Sequence, residues 1–426
     1  MTNNNISHKT LGCRLNFYES SAMKELAVDA GLSDAVIVNT CAVTQEAVRK
    51  SCQMVRQVKR SNPNKKVIVT GCAVQIDPEQ FSKIEGVDWI IGNSQKLRPN
   101  SWQKIANDAP FNQSEHGSIL VEDIMEVKEI NPHLTKGFNN RAVAYVQVQN
   151  GCDHRCTFCI IPFGRGNSRS IPAGVVVSQI RELVASGFKE VVLTGVDITS
   201  WGGDLPGTPK LGYLVTAILN NLPELQRLRL SSIDPAEIDD LLFQAFSDNG
   251  RLMPHIHLSV QSGNNMILKR MKRRHCREDV ITVCQKLRNM RPEIVFGADI
   301  IAGFPTESEA MFQDSLALID DCDLTWLHVF PFSPRQGTPA ARMPQNNRKA
   351  IRDRAAQLRE AGEVKKKEFY KTQINKNETV LIESATTGRT RQYAVVELNK
   401  DVSPGQLLNV VITGYNQTRL EGVTVN

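Results

Sequence analysis

The amino-terminal part of the chain alternates short apolar runs with longer amphipathic stretches. Residues 43–60 have the spacing of apolar positions that is typical of a helix. Runs with the length of buried strands occur at residues 34–39, 66–70, 89–91 and 118–121. Strands that alternate with helices are typical of a sheet of parallel strands. We therefore predict that residues 1–125 form an open parallel α/β domain.

The same alternation continues in the middle of the chain, with about 35 residues in each strand and helix unit. Six apolar runs are strand candidates, at residues 143–149, 190–194, 227–230, 256–260, 294–299 and 324–330. Six such units are fewer than the eight of a complete barrel. Residues 138–370 are therefore predicted to form a partial (βα)6 barrel.

The carboxyl-terminal segment has a different pattern. It is rich in Val, Ile, Thr and Gly, with turn signals at 403–405 and 413–414. Residues 371–426 are predicted to form a small all-β barrel. The fold class expected for the whole chain is thus α/β, with a small β-barrel at the carboxyl end.

Composition indicates the cellular compartment of the protein and the chemical role of its cysteines. The chain has 426 residues, 41% of them hydrophobic, which is enough for several buried cores. The amino terminus has no apolar signal segment, and no run approaches the roughly 20 apolar residues of a membrane span. We expect a cytoplasmic protein that has no contact with a membrane. Because thiols stay reduced there, the ten cysteines favour metal or redox chemistry over disulfides.

The positive charge is concentrated in one segment. The chain has 51 Lys and Arg against 45 Asp and Glu, and residues 342–371 hold ten basic and four acidic residues. This segment has the pattern of a helix with a basic side, which suits a phosphate backbone. A solvated helix face with no partner is the alternative interpretation.

One cysteine run carries the strongest chemical signal. Cys152, Cys156 and Cys159 follow the predicted strand 143–149 directly, in a Cys-x3-Cys-x2-Cys spacing. Three thiolates on one short loop can hold three irons of a four-iron cluster, which leaves the fourth iron open to a ligand. Zinc would need a fourth ligand, for which His154 is an awkward candidate. Three buried cysteines on a helix are disfavoured by Gly151 and the charged residues within the run.

A second set of cysteines lies in the amino-terminal domain. Cys13, Cys41 and Cys72 each come just after the carboxyl end of a predicted strand. Because the ends of parallel strands meet in one crevice, a second three-thiolate site is plausible there. Small buried hydrophobic residues are the alternative, since Cys often has that role. No role is assigned to the remaining cysteines, which are Cys52, Cys276, Cys284 and Cys322.

The run at Cys152–Cys159, with Phe158 before its last cysteine, resembles the signature of radical S-adenosylmethionine enzymes. In that family the cofactor chelates the open iron of a [4Fe-4S] cluster. The resemblance implies that Phe158 and residues at the carboxyl ends of the barrel strands bind the cofactor, namely Thr194, Gly195, Asp197, Ser231, Gln261, Ser262 and Gly303. Asp197 stands where close relatives are expected to have histidine.

Three further motifs resemble the radical S-adenosylmethionine methylthiotransferases. They are the segments around the amino-terminal cysteines, at residues 11–20, 39–44 and 70–75. The likeness implies a second [4Fe-4S] cluster on Cys13, Cys41 and Cys72. The cysteines of both clusters would then be the catalytic groups as well as the metal ligands.

Other segments resemble one branch of the methylthiotransferases, which acts on N6-threonylcarbamoyladenosine at position 37 of tRNA. These segments are residues 159–166, 228–235, 257–263 and 328–339. The alternatives are the branches that modify isopentenyladenosine in tRNA or an aspartate of a ribosomal protein. Residues 388–397 resemble part of a TRAM domain, an RNA-binding β-barrel.

The chemistry implied by this resemblance uses S-adenosylmethionine twice. One molecule would yield a 5′-deoxyadenosyl radical that removes hydrogen from carbon 2 of the adenine. A second would methylate a sulfur held at the amino-terminal cluster. Arg165 and Arg169 are expected either to bind the substrate, through a phosphate or the threonylcarbamoyl carboxylate, or to be ordinary surface arginines. The expected partners are tRNA, a reductant protein of the flavodoxin or ferredoxin type and a sulfur donor, and the expected state is a monomer or weak dimer.

Overall fold

The computed structural model of the chain describes residues 5–108, 113–114, 117–128, 130 and 142–425. The chain divides into two compact units, each built from several segments. The first unit contains residues 1–136, 149–171 and 333–338, and the second contains 137–148, 172–332 and 339–426. The predicted domain start at 138 lies outside the described residues, so the predicted domain boundaries stay predictions.

The strands follow the apolar runs of the sequence closely, with shifts of one to three residues at most ends. In chain order they are β1 (Ser7–Thr10), β2 (Ala35–Thr40), β3 (Lys66–Gly71), β4 (Trp89–Ile91), β5 (Gln113–Ser114), β6 (Gly117–Leu120), β7 (Val143–Gln147), β8 (Gln149–Asn150), β9 (Arg169–Ser170), β10 (Glu190–Thr194), β11 (Arg227–Leu230), β12 (His255–Gln261), β13 (Val295–Ala302), β14 (Leu324–Pro331), β15 (Asn377–Ser384), β16 (Thr387–Arg389), β17 (Val395–Leu398), β18 (Leu407–Tyr415) and β19 (Leu420–Thr424).

Helices occupy the amphipathic stretches between the strands, and several begin at a capping side chain such as Thr44 or Ser308. In chain order they are α1 (Arg14–Asp29), α2 (Gln45–Ser61), α3 (Cys72–Ile76), α4 (Pro78–Ser82), α5 (Pro99–Ala106), α6 (Ile161–Arg165), α7 (Ala173–Ala185), α8 (Leu211–Asn221), α9 (Asp240–Asp248), α10 (Asn265–Met271), α11 (Arg277–Met290), α12 (Glu309–Asp321) and α13 (Arg348–Gln373).

The first unit is built around one sheet with the strand order β1-β2-β3-β4-β6-β5. Its neighbouring strands run parallel except at the β5–β6 edge. Val36 and Val38 pack into one hydrophobic core and Ile37 into another, so the sheet is covered on both faces. The predicted open parallel α/β fold is confirmed.

The second unit contains the six predicted barrel strands in two parallel sheets, β11-β10-β7 and β12-β13-β14. Parallel bridges join the sheets between Leu228 and Leu252 and between Ile233 and Leu258. The strands alternate with helices, as expected for a partial (βα)6 barrel. That prediction is confirmed.

Alternate residues of β12, β13 and β14 point to opposite faces of their sheet. On the helix side, Leu327 of β14 lies against Gly362 of α13, where an added Cβ would come within 3.0 Å of the Leu327 side chain. The opposite side is called the inner face here. It carries His255, His257, Asp299, Trp326 and His328.

The carboxyl-terminal strands close into the predicted small barrel, with the order β15-β16-β17-β19-β18. Its core includes Val380, Val396 and Val410, and Tyr370 at the end of α13 packs against them. Within the described ranges, no helix has both the length and the apolar character needed to cross a membrane.

Candidate active site

The Cys152–Cys159 run forms an irregular loop in the first unit, between the short paired strands β8 and β9. Gly151 opens the loop with a φ of 76°, and a Cβ there would lie 1.8 Å from the carbonyl oxygen of Asn167. The amide of Cys152 donates to the Gly166 carbonyl at 3.0 Å, which closes the base of the loop. A glycine is therefore required for this path of the backbone.

The loop suits three cluster ligands better than a helix would. Cys156 is buried, and Cys152 and Cys159 are half-buried. The Arg155 guanidinium donates to the Cys152 carbonyl at 2.7 Å, and the Asp153 carboxylate accepts from the Ser168 amide at 2.9 Å. The polar residues of the run thus hold the loop backbone in place around the three cysteines.

The amino-terminal cysteines come together as the strand pattern predicts. Cys13, Cys41 and Cys72 follow the adjacent parallel strands β1, β2 and β3 at their carboxyl ends. A Cβ on Gly12 would lie 3.0 Å from the sulfur of Cys41, so this glycine lets the first loop approach the second cysteine. Burial, with smaller contributions from the neighbouring Cys72 and Cys13, raises the pKa of the Cys41 thiol to about 11. Iron binding at Cys41 would therefore have to displace a proton.

A buried ion network adjoins Cys72, and the sequence pattern did not single it out. Glu19 of α1 pairs with Lys96 and with Arg165, and all three side chains are almost completely buried. Burial alone would raise the pKa of Glu19, but Arg165 and Lys96 outweigh it and hold that pKa below its ordinary value. Burial lowers the pKa of Lys96 to about 8. The sequence points to Arg165 as a candidate but not to its pairing, and Glu19 appears only as part of the first cysteine motif.

Arg165 connects this network to the cysteine loop. Its Nε donates to the sulfur of Cys72 at 3.0 Å, and its guanidinium also donates to the Asn16 side chain at 2.5 Å. The Asn93 amide donates to the Gly164 carbonyl and lies 3.7 Å from the Cys72 sulfur. The segment that follows Cys159 is thereby fixed against the amino-terminal cysteine site.

The two arginines expected at the surface or at a substrate are both buried. Arg165 is 2% exposed and Arg169 is 6% exposed. The Arg169 guanidinium donates to the carbonyl of Arg165 at 2.5 Å. The interpretation as ordinary surface arginines is therefore wrong, because backbone and side-chain acceptors inside the first unit enclose both groups. Substrate binding by either residue stays a prediction.

The residues expected to bind S-adenosylmethionine lie at the carboxyl ends of the barrel strands in the second unit. Gln261 and Gly303 have positive φ values of 73° and 74°. A positive φ is strained for Gln261, which has a side chain, whereas Gly303 adopts it freely. Strain of the kind seen at Gln261 is common where a chain turns to face a ligand. Cofactor contacts stay predictions for the whole set, which comprises Phe158 of the cysteine loop and Thr194, Gly195, Asp197, Ser231, Gln261, Ser262 and Gly303.

Two members of this set already have structural partners. Asp197 accepts hydrogen bonds from the hydroxyls of Thr199 at 2.9 Å and Ser200 at 2.6 Å. Ser262 is buried, and its hydroxyl accepts from the Asn264 amide at 3.2 Å. Both side chains therefore shape the loops that follow their strands.

Two parts of the chain match known families. Residues 5–92 match the Uncharacterized protein family UPF0004, and residues 146–319 match the Radical SAM superfamily. The chain is 48% identical to the threonylcarbamoyladenosine tRNA methylthiotransferase MtaB of Rickettsia prowazekii (strain Madrid E). That alignment covers 98% of this chain and 96% of the relative. The chain belongs to the MtaB family of radical SAM tRNA methylthiotransferases.

Two further similarities concern the wider group of enzymes and the fold. The tRNA-2-methylthio-N(6)-dimethylallyladenosine synthase of Shouchella clausii (strain KSM-K16) is 30% identical, over 98% of this chain and 83% of the relative. The structure of the radical S-adenosylmethionine methyltransferase TsrM from Kitasatospora setae matches with a TM-score of 0.59 at 14% identity. It covers 79% of this chain and 77% of that chain, and it shows a shared fold. The family resemblance seen in the sequence is confirmed.

Family membership also establishes the class of chemistry. As a radical SAM methylthiotransferase, the protein is a transferase that works with S-adenosylmethionine and a [4Fe-4S] cluster. The three cysteines at 152, 156 and 159 lie inside the matched superfamily region. The cysteines at 13, 41 and 72 lie inside the other matched region.

Proposed function

We propose that this enzyme converts N6-threonylcarbamoyladenosine at position 37 of tRNA to its 2-methylthio derivative. The observation that carries the proposal is the 48% identity to the Rickettsia MtaB protein across nearly the whole length of both chains. Three relatives named for dimethylallyladenosine are less similar to this chain, at 30%, 32% and 31% identity. The substrate branch thus follows the greater similarity.

Two cluster sites are part of this proposal. Cys152, Cys156 and Cys159 would hold the cluster that binds S-adenosylmethionine, and Cys13, Cys41 and Cys72 would hold a second one. The second set fits a cluster because three thiols converge at adjacent strand ends and Arg165 supplies a buried positive charge beside them. A cluster with three thiolates carries negative charge that a buried cation stabilises.

When bound, the clusters and S-adenosylmethionine supply a radical, a methyl group and a site for sulfur. The protein's own residues position these groups. The bond from Arg165 to Cys72 fixes the second site, and the closed base of the Cys152 loop fixes the first. The barrel strand ends would orient the nucleoside and the cofactor and exclude water from the reacting atoms. A flavodoxin-type or ferredoxin-type reductant and a sulfur donor complete the proposal, together with a monomeric or weakly dimeric state.

Mass spectrometry of tRNA nucleosides tests the proposed reaction. Cells that lack this protein should lose 2-methylthio-N6-threonylcarbamoyladenosine, and restoring the gene should bring it back. A parallel strain that receives the gene with Cys152→Ala should not recover the nucleoside. Loss of the isopentenyl product instead, with the threonylcarbamoyl product unchanged, would overturn the proposed substrate.

The basic helix α13 is the candidate surface for the tRNA backbone, although part of its charge is already paired. Lys365 bonds to Asp320 at 2.9 Å and Lys366 bonds to Glu363 at 2.5 Å, and both side chains are mostly covered. Arg354 is buried against Glu307. The exposed cations of α13 are Arg348, Lys349, Arg352, Arg359, Lys367 and Lys371.

Reversing three exposed cations should therefore weaken tRNA binding. In an Arg352→Glu, Arg359→Glu, Lys367→Glu variant we expect the Kd for tRNA to rise at least about tenfold. The slope of log Kd against log salt concentration should also fall by the amount that corresponds to about two to three lost phosphate contacts. Fluorescence anisotropy with labelled tRNA over a range of salt concentrations measures both. The same reversal at Lys50, Arg56 and Arg60 of α2 is the matched control. Equal effects in the two variants would contradict a specific role of α13.

A further inference from the structure

The inner face of the second unit carries a polar cluster that the sequence pattern did not connect. His257, Asp299 and His328 lie on the neighbouring strands β12, β13 and β14. Nε2 of His257 lies 2.8 Å from one carboxylate oxygen of Asp299, and Nδ1 of His328 lies 3.2 Å from the same oxygen. The two imidazole centres are 4.4 Å apart. We call these three residues the His-Asp-His cluster.

The amino-terminal end of this inner face is covered by the carboxyl-terminal barrel. His255, two residues before His257, stacks on Tyr393 with a centroid distance of 4.8 Å. Trp326, two residues before His328, donates from Nε1 to the Gln392 carbonyl at 3.0 Å. The His-Asp-His cluster therefore begins where this cover ends, on the side toward the carboxyl ends of the strands.

The backbone of β13 leaves space for the cluster. A Cβ on Gly297 would lie 2.4 Å from Nδ1 of His257, a distance that real side chains do not allow. Because Gly297 pairs directly with His257 in the sheet, its missing side chain is what lets the imidazole turn toward Asp299. Gly297 is therefore needed for the orientation of the His257 ring and not for a turn of the backbone.

The ionised state of the Asp299 carboxylate determines which ring nitrogens of the two histidines carry hydrogen. Burial would raise the pKa of Asp299, but the hydrogen bonds from His257 and His328 outweigh it and hold the pKa well below its usual range. An ionised carboxylate only accepts hydrogen bonds, so both ring nitrogens that face it carry hydrogen. The outward nitrogens are then Nδ1 of His257 and Nε2 of His328. The His328 side chain is 60% exposed, so Nε2 is accessible to a ligand.

We propose that the His-Asp-His cluster recognises the threonylcarbamoyl group of the substrate adenosine, with Nε2 of His328 accepting a hydrogen bond from its threonyl hydroxyl. This inference rests on the proposed function and adds the residues that select the substrate. The threonyl part is polar, whereas an isopentenyl group is hydrocarbon. A fixed polar group that faces hydrocarbon loses its hydrogen bonds to water without replacement, so the cluster disfavours the isopentenyl substrate.

A divalent cation is the competing occupant, since the ligand atoms of the three residues lie within 4.8 Å of one another. The hydrogen-bond geometry argues against a cation in the cluster. Both imidazoles point at a single oxygen of Asp299 at hydrogen-bond distance, so the three side chains satisfy one another directly.

Paired tRNAs that differ only in the threonylcarbamoyl group test the inference. For the wild-type enzyme, Kd should be lower for the modified tRNA than for the tRNA with plain adenosine. In His328→Phe this preference should shrink about 10- to 100-fold, because the aromatic ring stays and the hydrogen bond is lost. His328→Gln, whose amide reaches a similar position to Nε2, should recover part of the preference. Tyr213→Phe, on the exposed side of α8, should keep the full preference.

The outcomes separate the possible explanations. If Kd in His328→Phe rises by a similar factor for the plain-adenosine tRNA as for the modified tRNA, the variant has a structural defect, and an unchanged preference would show that other residues select the substrate; either result overturns the inference. Metal analysis of the wild type that finds a further stoichiometric ion, lost in both His328→Phe and Asp299→Asn, would overturn it in favour of a cation site. Absence of the methylthiolated nucleoside with the wild-type gene would refute the proposed function itself.

Discussion

A Cys41→Ala variant is expected to lose methylthiolation of tRNA below detection while it still cleaves S-adenosylmethionine to 5′-deoxyadenosine. Cys41 lies in the first matched region, apart along the chain from the loop at Cys152–Cys159. Removing one of three thiolates leaves an iron without its protein ligand, so the second cluster should not persist. The cofactor-cleaving site keeps all of its own cysteines. Product analysis by chromatography after reduction measures both activities in one sample.

Two matched variants complete this experiment. Cys52→Ala removes another buried cysteine of the same unit, on α2, and should keep both activities and the full iron content. Cys152→Ala should lower the iron content by about half and abolish cofactor cleavage, with the spectrum of the other cluster unchanged. Loss of all iron in either cluster variant would be incompatible with two independent sites.

A Glu19→Ala variant is expected to lose about 3–5 kcal/mol of unfolding free energy, because it leaves two buried cations with no anion between them. Glu19 is the common partner of Arg165 and Lys96, and none of the three side chains has appreciable contact with solvent. Glu19→Gln keeps the size of the side chain and should lose less. Urea denaturation followed by circular dichroism measures the loss.

An exposed glutamate provides the control for this prediction. Glu46 pairs with Arg49 and Lys50 on the surface of α2, where solvent screens the charges. Glu46→Ala should leave the denaturation curve unchanged. Equal destabilisation by the two substitutions would show that the buried network has no special role.

The same network should respond to pH. The folded-state pKa of Glu19 is below its ordinary value, so its contribution to stability is fully present above about pH 4.5. That contribution should decline as the pH falls further and the carboxylate takes up a proton. In Glu19→Gln the acid side of the stability profile should be flatter than in the wild type.

Much of the site was predictable because it depends on local order along the chain. Apolar runs set the strands, and a cysteine directly after a strand must lie at that strand's carboxyl end. Adjacent parallel strands then bring Cys13, Cys41 and Cys72 together without further information. The spacing of the Cys152–Cys159 run similarly indicates a cluster loop by itself.

The charged groups around the cysteines were not predictable in this way. Glu19 of α1 and Arg165 of α6 are separated by 146 positions along the chain. Their pairing depends on the packing of α6 beside α3, which brings Arg165 into the first unit's interior. Arginine is usually a surface residue, yet Arg165 and Arg169 are both buried and bond to groups inside the first unit. Likewise, Lys365 and Lys366 belong to the basic pattern of α13, yet both of these lysines are paired with carboxylates in the fold.

The sequence by itself determined the order of strands and helices, the fold class, the two cysteine sets and the family. Only the tertiary structure decided which polar side chains meet. His257, Asp299 and His328 lie far apart along the chain and become neighbours through the register of three parallel strands and a glycine at position 297. The physical reason is that secondary structure follows from short-range hydrophobic periodicity, whereas contacts between distant charged groups depend on packing and register.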